Sequence, residues 1–433
     1  MGLGKTLQTI AFLQYLKLEY KKNLPSLIIA PTSLIFNWKN EIEKFCPTLK
    51  MLAFVGSNRL ENIENLSKYD LVISTYCSLL NDIEFLKDFK FNYVILDESQ
   101  AIKNPNSKRY KAVRLLQSYN KIALTGTPIE NNTFDLYAQL NFLNPGLLGN
   151  MSHFKTTFSN AIDKDKNADT SQLLSKIIAP FVLRRTKEQV AKELPEKTES
   201  IIFCEMEKEQ RKVYDYFKNK YRDYLLHKID ENGVEKSQMY ILEGLTKLRQ
   251  ICNSTALINE EEDYGNYSVK LENLILNIKE KTGNHKILVF SQFVKMLKII
   301  KTRLEDDQIE YEYLDGQTTN RQEKVENFQN NASVRVFLIS LKAGGTGLNL
   351  TEADYVFIID PWWNPAVENQ AIDRCYRIGQ IKNVMAYRMI CKDTIEEKIA
   401  TLQSSKKAVA SSIISIDDVK KSFDINEVKE LFR

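Results

Sequence analysis

Histidine is nearly absent from this 433-residue chain, which has three, and its six cysteines (Cys46, Cys77, Cys204, Cys252, Cys375 and Cys391) include no C-x-x-C pair. Neither zinc-ligand spacing nor a disulfide framework is therefore suggested, and scattered single thiols point to a reducing compartment. No apolar run approaches the ~20 residues that a membrane-spanning helix requires. The first residues lack the basic stretch, apolar stretch and cleavage site of a signal peptide, so a cytoplasmic location is expected. Low-complexity tracts are missing as well. A strong charge of either sign is also lacking: 60 Lys and Arg face 56 Asp and Glu, a net +4. Any case for nucleic acid must come from where the basic residues sit.

What the chain does have is length and a repeated pattern. Its length allows two or three domains, because single cores stop growing at about 250 to 300 residues. Short apolar runs ending in turn residues recur in two sets: "SLIIAPTS", "DLVIST", "NYVILDES" and "KIALTGTP", then "KILVFSQF", "VRVFLISLKAGG", "DYVFIIDP" and "VMAYRMI". Runs this short and apolar read as strands covered on both faces, as in parallel sheets. Helical segments such as "TLQTIAFLQYLKLEY" lie between them, which predicts two α/β lobes. Residues 141–267 lose the strand runs and read as a helical insertion, with "ENGVEKS" a polar break within it. There Tyr214, Phe217, Tyr221 and Leu225 recur at helical spacing, as a packed face does. The expected divisions are 1–140, 141–267, 268–400 and a helical tail over 401–433.

The opening "MGLGKT" holds the end of a phosphate-binding loop, with Gly2, Gly4, Lys5 and Thr6. Backbone N–H groups at such a helix start cradle phosphates, the lysine reaches the β and γ phosphates, and the hydroxyl holds magnesium. A glycine-rich helix start also serves ordinary capping. The partner it needs is in "VILDESQ", where Asp97 ends an apolar run, at the strand edge where open α/β sheets bind ligands. Asp97 would complete a magnesium site and Glu98 would polarise a water. "LTGTPIENN" adds Thr125, Thr127 and Asn131, which either link the phosphate site to a second surface or cap a turn. In the second set, "SLKAGGTGLNL" supplies Gly344, Gly345 and Gly347, a flexible turn or one suited to close approach by a phosphate backbone. "NPAVENQAIDRCYRIGQ" places Gln370, Arg374 and Arg377 on one predicted helical face, either solvated or acting as arginine fingers.

Taken together, "GLGKTLQTIAFL", "IIAPTSLIFNW", "DESQAIKN", "LTGTPIENN", "LTKLRQICN", "ILVFSQF", "LDGQT", "SLKAGGTGLNLT", "DPWWNP" and "DRCYRIGQ" resemble the Swi/Snf-type DNA-dependent ATPases, the translocase branch of helicase superfamily two. The resemblance runs to about residue 400. It implies two RecA-like lobes, ATP and magnesium as cofactors, and double-stranded DNA as partner. By position, Lys5, Thr6, Asp97 and Glu98 would bind and hydrolyse MgATP, with Gln370, Arg374 and Arg377 completing the site from the other lobe. Thr32, Ser33, Trp38, Thr125, Asn131, Ser291, Gln292, Gly345, Thr346, Asn349 and Trp363 fall in motifs that in such proteins grip or couple to DNA. The chain departs from the pattern at Gln100, where many relatives have histidine, and at Cys375 and Tyr376. Gln100 and the compact lobes look like the bacterial or archaeal branch, implying a nucleoid-associated protein. A start inside the first ATP motif leads us to expect a missing first strand and weak or no ATP hydrolysis by these residues alone. The rival readings are an ATPase acting on RNA polymerase or another DNA-bound complex, and a catalytically silent DNA-binding remnant.

Overall fold

All eight apolar runs become strands, and every strand pair among the described residues is parallel. The computed structural model describes residues 2–20, 24–126, 133–163, 167–258, 263–281, 285–344, 348–361 and 365–401. These divide into two units, one running to Lys192 and the other beginning at Glu193.

The first unit holds β1 (Ser26–Ala30), β2 (Met51–Ala53), β3 (Leu71–Thr75), β4 (Lys90–Leu96) and β5 (Gln117–Ala123) in the order β2-β3-β1-β4-β5. Side chains alternate across a strand, so each strand feeds two cores. Ile28, Ile73 and Ile95 face α1 (Lys5–Tyr20) and α2 (Ile35–Phe45), meeting Ile10, Leu13, Leu34, Trp38 and Ile42. Leu27, Ile29, Val72, Val94 and Leu96 face the other way, onto Tyr76, Leu79 and Leu86 of α3 (Tyr76–Leu86). The four-residue spacing of Leu34, Trp38 and Ile42 is the helical stripe that docks α2. Each aliphatic side chain so buried contributes about 1.5–3 kcal/mol. Thr75 ends β3 and caps α3, its hydroxyl accepting the Ser78 N–H. Because the strands are parallel, their C-terminal ends share one edge, and the segments leaving Ala30, Thr75, Leu96 and Ala123 gather there.

The second unit holds β6 (Lys197–Cys204), β7 (Ile287–Ser291), β8 (Tyr311–Leu314), β9 (Val336–Ser340), β10 (Tyr355–Ile358) and β11 (Val384–Cys391) in the order β6-β11-β10-β7-β9-β8. A 46-residue helix, Lys208–Asn253, lays Tyr214, Phe217, Ile241, Leu245, Leu248 and Ile251 into the core with Ile287, Val289 and Phe357. Tyr221 packs partly against the same core, whereas the Leu225 side chain lies outside the described residues. The helix runs straight through "ENGVEKS", which the sequence marked as a break. One glycine costs a helix about 1 kcal/mol, and here the core contacts at Tyr214–Phe217 and Ile241–Ile251 anchor both ends. The boundary between the units, Lys192 to Glu193, falls within the 141–267 stretch. The tail over 402–433 lies outside the described residues.

Candidate functional site

Gly2 and Gly4 have φ of 75° and 71°, the left-handed region that glycine enters without cost. They turn the chain into α1, whose first turn is closed by Gln8 N–H donating to the Gly4 carbonyl at 2.9 Å. No acidic residue lies in that turn, so the positive end of the helix and its first N–H groups are left for an anion. Lys5 and Thr6 are both half-buried there.

Asp97 and Glu98 follow β4, with 6% and 8% of their surface exposed. The backbone N–H of Asp97 extends the pairing, donating to the Ile29 carbonyl at 2.8 Å. One carboxylate oxygen of Asp97 accepts the Trp38 indole N–H at 2.9 Å and the other the Glu98 backbone N–H at 2.9 Å. The Tyr76 hydroxyl donates to the Asp97 carbonyl at 2.9 Å. Burial, and then the neighbouring Glu98 charge, push the Asp97 carboxyl up to about 6 against the opposing pull of Trp38, the Glu98 N–H and the Lys5 ammonium. Lys5 and Asp97, 92 positions apart in the chain, are thus electrostatic neighbours. Glu98 has a left-handed backbone, φ 47°, which costs a residue with a Cβ about 1–2 kcal/mol. Its carboxylate accepts from the Gln100 amide at 2.8 Å, and the Gln100 oxygen accepts from the Thr125 hydroxyl at 2.9 Å. Thr125 and Gln100 therefore form a chain ending on Glu98.

Thr32 is exposed and Ser33 half-buried on the turn after β1. Of the two roles the motif implied for Trp38, gripping DNA is excluded, because none of its surface is exposed; its indole instead donates to Asp97. A helix position identifies which face a side chain is on only once the packing is known, and this face is the core.

In the second unit, Ser291 ends β7 with no exposed surface. Its hydroxyl accepts the Phe293 N–H at 3.0 Å and bonds the Asp360 carboxylate, so it too is a core group and not a DNA contact. The half-buried Gln292 is held by its backbone N–H on Asp360 Oδ2 at 2.9 Å. Asn349 is exposed. Gly344 ends a short helix, Leu341–Gly344, where a Cβ would lie 2.7 Å from Ile339 and 2.8 Å from Phe290. Its missing side chain makes room for the core rather than for a phosphate. Thr127, Asn131, Gly345, Thr346, Gly347 and Trp363 lie outside the described residues.

The single helical face proposed for Gln370, Arg374 and Arg377 does not form. The helix Pro365–Ile372 carries Gln370 and stops before both arginines, which lie in the turns that follow. Gln380 shapes those turns: its amide donates to the Thr351 and Ala353 carbonyls at 3.0 and 2.8 Å, and its oxygen accepts the Ile381 and Lys382 N–H groups at 2.9 and 2.8 Å. Gly379, at φ 100°, allows the reversal. Arg374 is buried in its own unit and Arg377 is half-buried.

A buried charged network behind β7, β10 and β11 went unread in the sequence. Lys270, fully buried, donates to Glu396 at 2.7 Å, to the Ile359 carbonyl at 2.6 Å and to Asn253 at 3.1 Å. Burial, the largest single influence, works against its positive charge, but the surrounding groups, Glu396 first among them, together hold the ammonium above its ordinary range. Asp360, also fully buried, is pushed up to about 6 by burial, countered by Arg249 first among the nearby groups. Cys252 and Cys391 converge on Glu396 within 4.8 Å. Burial drives the Cys391 thiol well above its usual range, and Glu396 is already engaged by Lys270, so the cluster is organised around a buried ion pair. Asp360, the one charge at the end of the apolar run "YVFIID", was the available signal.

Parallel α/β units, with a lysine-bearing helix start and paired carboxylates at a strand end, define the phosphate-binding-loop fold class. The family model of the SNF2-related domain matches residues 1–257 and that of the helicase conserved C-terminal domain residues 269–379. The chain belongs to the SNF2-related family. It is 38% identical to the putative ATP-dependent helicase/translocase YwqA of Bacillus subtilis, over 100% of this chain and 48% of that protein. An uncharacterized ATP-dependent helicase of Mycoplasma pneumoniae is 39% identical over 100% of this chain and 41% of its own length. The TATA-binding protein-associated factor MOT1 of Saccharomyces cerevisiae is 33% identical over 100% and 27%. The chain thus spans less than half the length of these relatives. Among solved structures, the Sulfolobus solfataricus SWI2/SNF2 ATPase core in complex with dsDNA is 40% identical, covering 94% of this chain and 86% of that one, with a TM-score of 0.46.

Proposed function

We propose that the protein is a DNA-dependent ATPase that hydrolyses MgATP at the first unit's site and moves along double-stranded DNA without separating its strands. The observation that carries this reading is the Asp97–Glu98 pair, two adjacent carboxylates nearly buried at a strand end with Lys5 acting on the first. Buried anions are costly unless cations accompany them, and the hard oxygen donors of Thr6 and Asp97 suit magnesium. Magnesium held there would neutralise charge on the phosphoryl oxygens. Gly2, Gly4 and the N-terminal turn of α1 would cradle the phosphates while Lys5 reaches the β and γ groups. Glu98, oriented by Gln100, would take the proton of the attacking water. To Gln370, Arg374 and Arg377 we assign the stabilisation of charge on the transferred phosphoryl group. To Thr32, Ser33, Gln292 and Asn349 we assign phosphate contacts. Family membership and the likeness to a helicase/translocase support the motor. We further propose that it works in the cytoplasm on the nucleoid.

The test is ATP hydrolysis with no nucleic acid, duplex DNA, single-stranded DNA or RNA, alongside Lys5→Ala and Glu98→Gln. Duplex stimulation abolished by both, with displacement of a third strand from a triplex and no unwinding of the duplex, is the expected result. Strand separation, or indifference to duplex, would refute the reading, and failure to bind nucleotide would favour the silent DNA-binding protein. The likeness to a TATA-binding protein-associated factor prompts a second reading, an ATPase acting on a DNA-bound protein complex, distinguished by ATP-dependent release of that complex from DNA.

A further inference from the structure

The Trp38 indole meets the Asp97 carboxylate in a part of the first unit where neither has much contact with solvent: none of the Trp38 surface and 6% of the Asp97 surface is exposed. An indole has one donor and no acceptor, and a buried N–H of this kind needs a partner. Here that partner is Asp97 Oδ2, at 2.9 Å. The other oxygen is held by the Glu98 N–H and the backbone carbonyl by Tyr76, so the carboxylate turns only if the indole moves. Trp38 in turn belongs to α2, which follows directly on the Thr32–Leu34 turn. Leu34 and Trp38, one helical turn apart, dock in the same core cluster against Ile28, Ile73 and Ile95. Turn, helix and indole therefore form one packed piece, with an exposed Thr32 at one end and a held carboxylate at the other.

We infer that Trp38 is a positioning residue that aims the Asp97 carboxylate and ties it to the Thr32–Leu34 turn, so that a nucleic-acid phosphate on that turn is felt at the metal-binding oxygen. A purely apolar role for this side chain would leave the carboxylate without one of its donors. Outer partners of this type set metal affinity by about 10- to 100-fold. The inference rests on the nucleotide-site reading above.

The experiment measures Mn2+ bound in the presence of ADP, by electron paramagnetic resonance, with and without a duplex oligonucleotide. The proteins are wild type, Trp38→Phe, a form carrying 3-benzothienylalanine at position 38, and Asp97→Asn. The benzothiophene keeps the bicyclic volume and lacks the N–H, which separates the hydrogen bond from the packing. Both position-38 forms are expected to weaken Mn2+ binding about tenfold or more, to leave metal-free ADP affinity unchanged, and to lose the shift in Mn2+ affinity that duplex produces in wild type. A shift below about twofold in the benzothienyl form, with Asp97→Asn still weakening Mn2+, overturns the positioning role. If Asp97→Asn has no effect either, the metal assignment of Asp97 fails, and the inference with it. A loss of metal-free ADP affinity equal to the loss of Mn2+ overturns it too, because that marks general damage to the fold.

Discussion

Glu396→Gln tests the buried pair in the second unit by removing a charge and almost no volume. Glu396 Oε1 accepts from Lys270 at 2.7 Å and Oε2 from the Cys391 N–H at 3.0 Å. Glutamine can keep the second bond through its oxygen, leaving the ammonium facing neutral groups. At 2.7 Å and an effective dielectric of 20, the attraction lost is roughly 6 kcal/mol. Part returns as the Ile359 carbonyl and Asn253 remain on the ammonium and as Lys270 sheds its proton more easily. The net cost expected is about 3–5 kcal/mol, as for other buried pairs broken on one side. With a urea dependence near 3 kcal/mol/M, the second unit's midpoint should fall by roughly 1–1.7 M, followed by circular dichroism. Replacing both residues, as Lys270→Met with Glu396→Leu, should recover most of the loss, because neither change then strands a charge. A cost under about 1 kcal/mol for Glu396→Gln, or a double variant as weak as the two single losses added, would refute this account of the network.

At Asp97, a carboxyl raised to about 6 binds protons more readily folded than unfolded, so it stabilises the fold as pH falls from about 6 toward 4, by roughly 3 kcal/mol at most. The same protonation removes the ligand we propose for magnesium, so ATP hydrolysis should fall on the acid side below about pH 6, less so at saturating magnesium; a profile flat from pH 5 to 7 would contradict it. Gln380→Ala strands two carbonyls and two N–H groups of the arginine-bearing turns, and should cost about 2–4 kcal/mol by thermal melting and lower kcat. Gly344→Ala forces a methyl into Ile339 and Phe290 and should cost about 1–3 kcal/mol without altering ADP affinity.

The strands that announced themselves are those buried along their whole length, such as β1, β3, β7 and β9, because a strand covered on both faces has no polar positions to interrupt it. Those that passed unread are β2, three residues long, and β6 and β8, where burial alternates residue by residue. All three lie at sheet edges, where half the side chains meet water. Asp97 and Glu98 were legible because charge at the end of an apolar run has few structural uses. The burial of Trp38 and Ser291 is not legible in their motifs, since a motif carries no information about which side of a loop faces the core. Arg374 and Arg377 followed helical spacing beyond Ile372, where the helix had already ended in favour of turns bonded to the Gln380 side chain.

The left-handed backbone at Glu98 sets stability and chemistry in opposition at one position. Glycine there would relieve the strain of φ 47° by about 1 kcal/mol, yet would remove the carboxylate that Gln100 orients. A search for heat-tolerant variants that ignored turnover would therefore drift toward glycine or asparagine at position 98. Under selection for turnover, the same drift would be purged, which makes this residue a gauge of whether a population is being selected for endurance or for work.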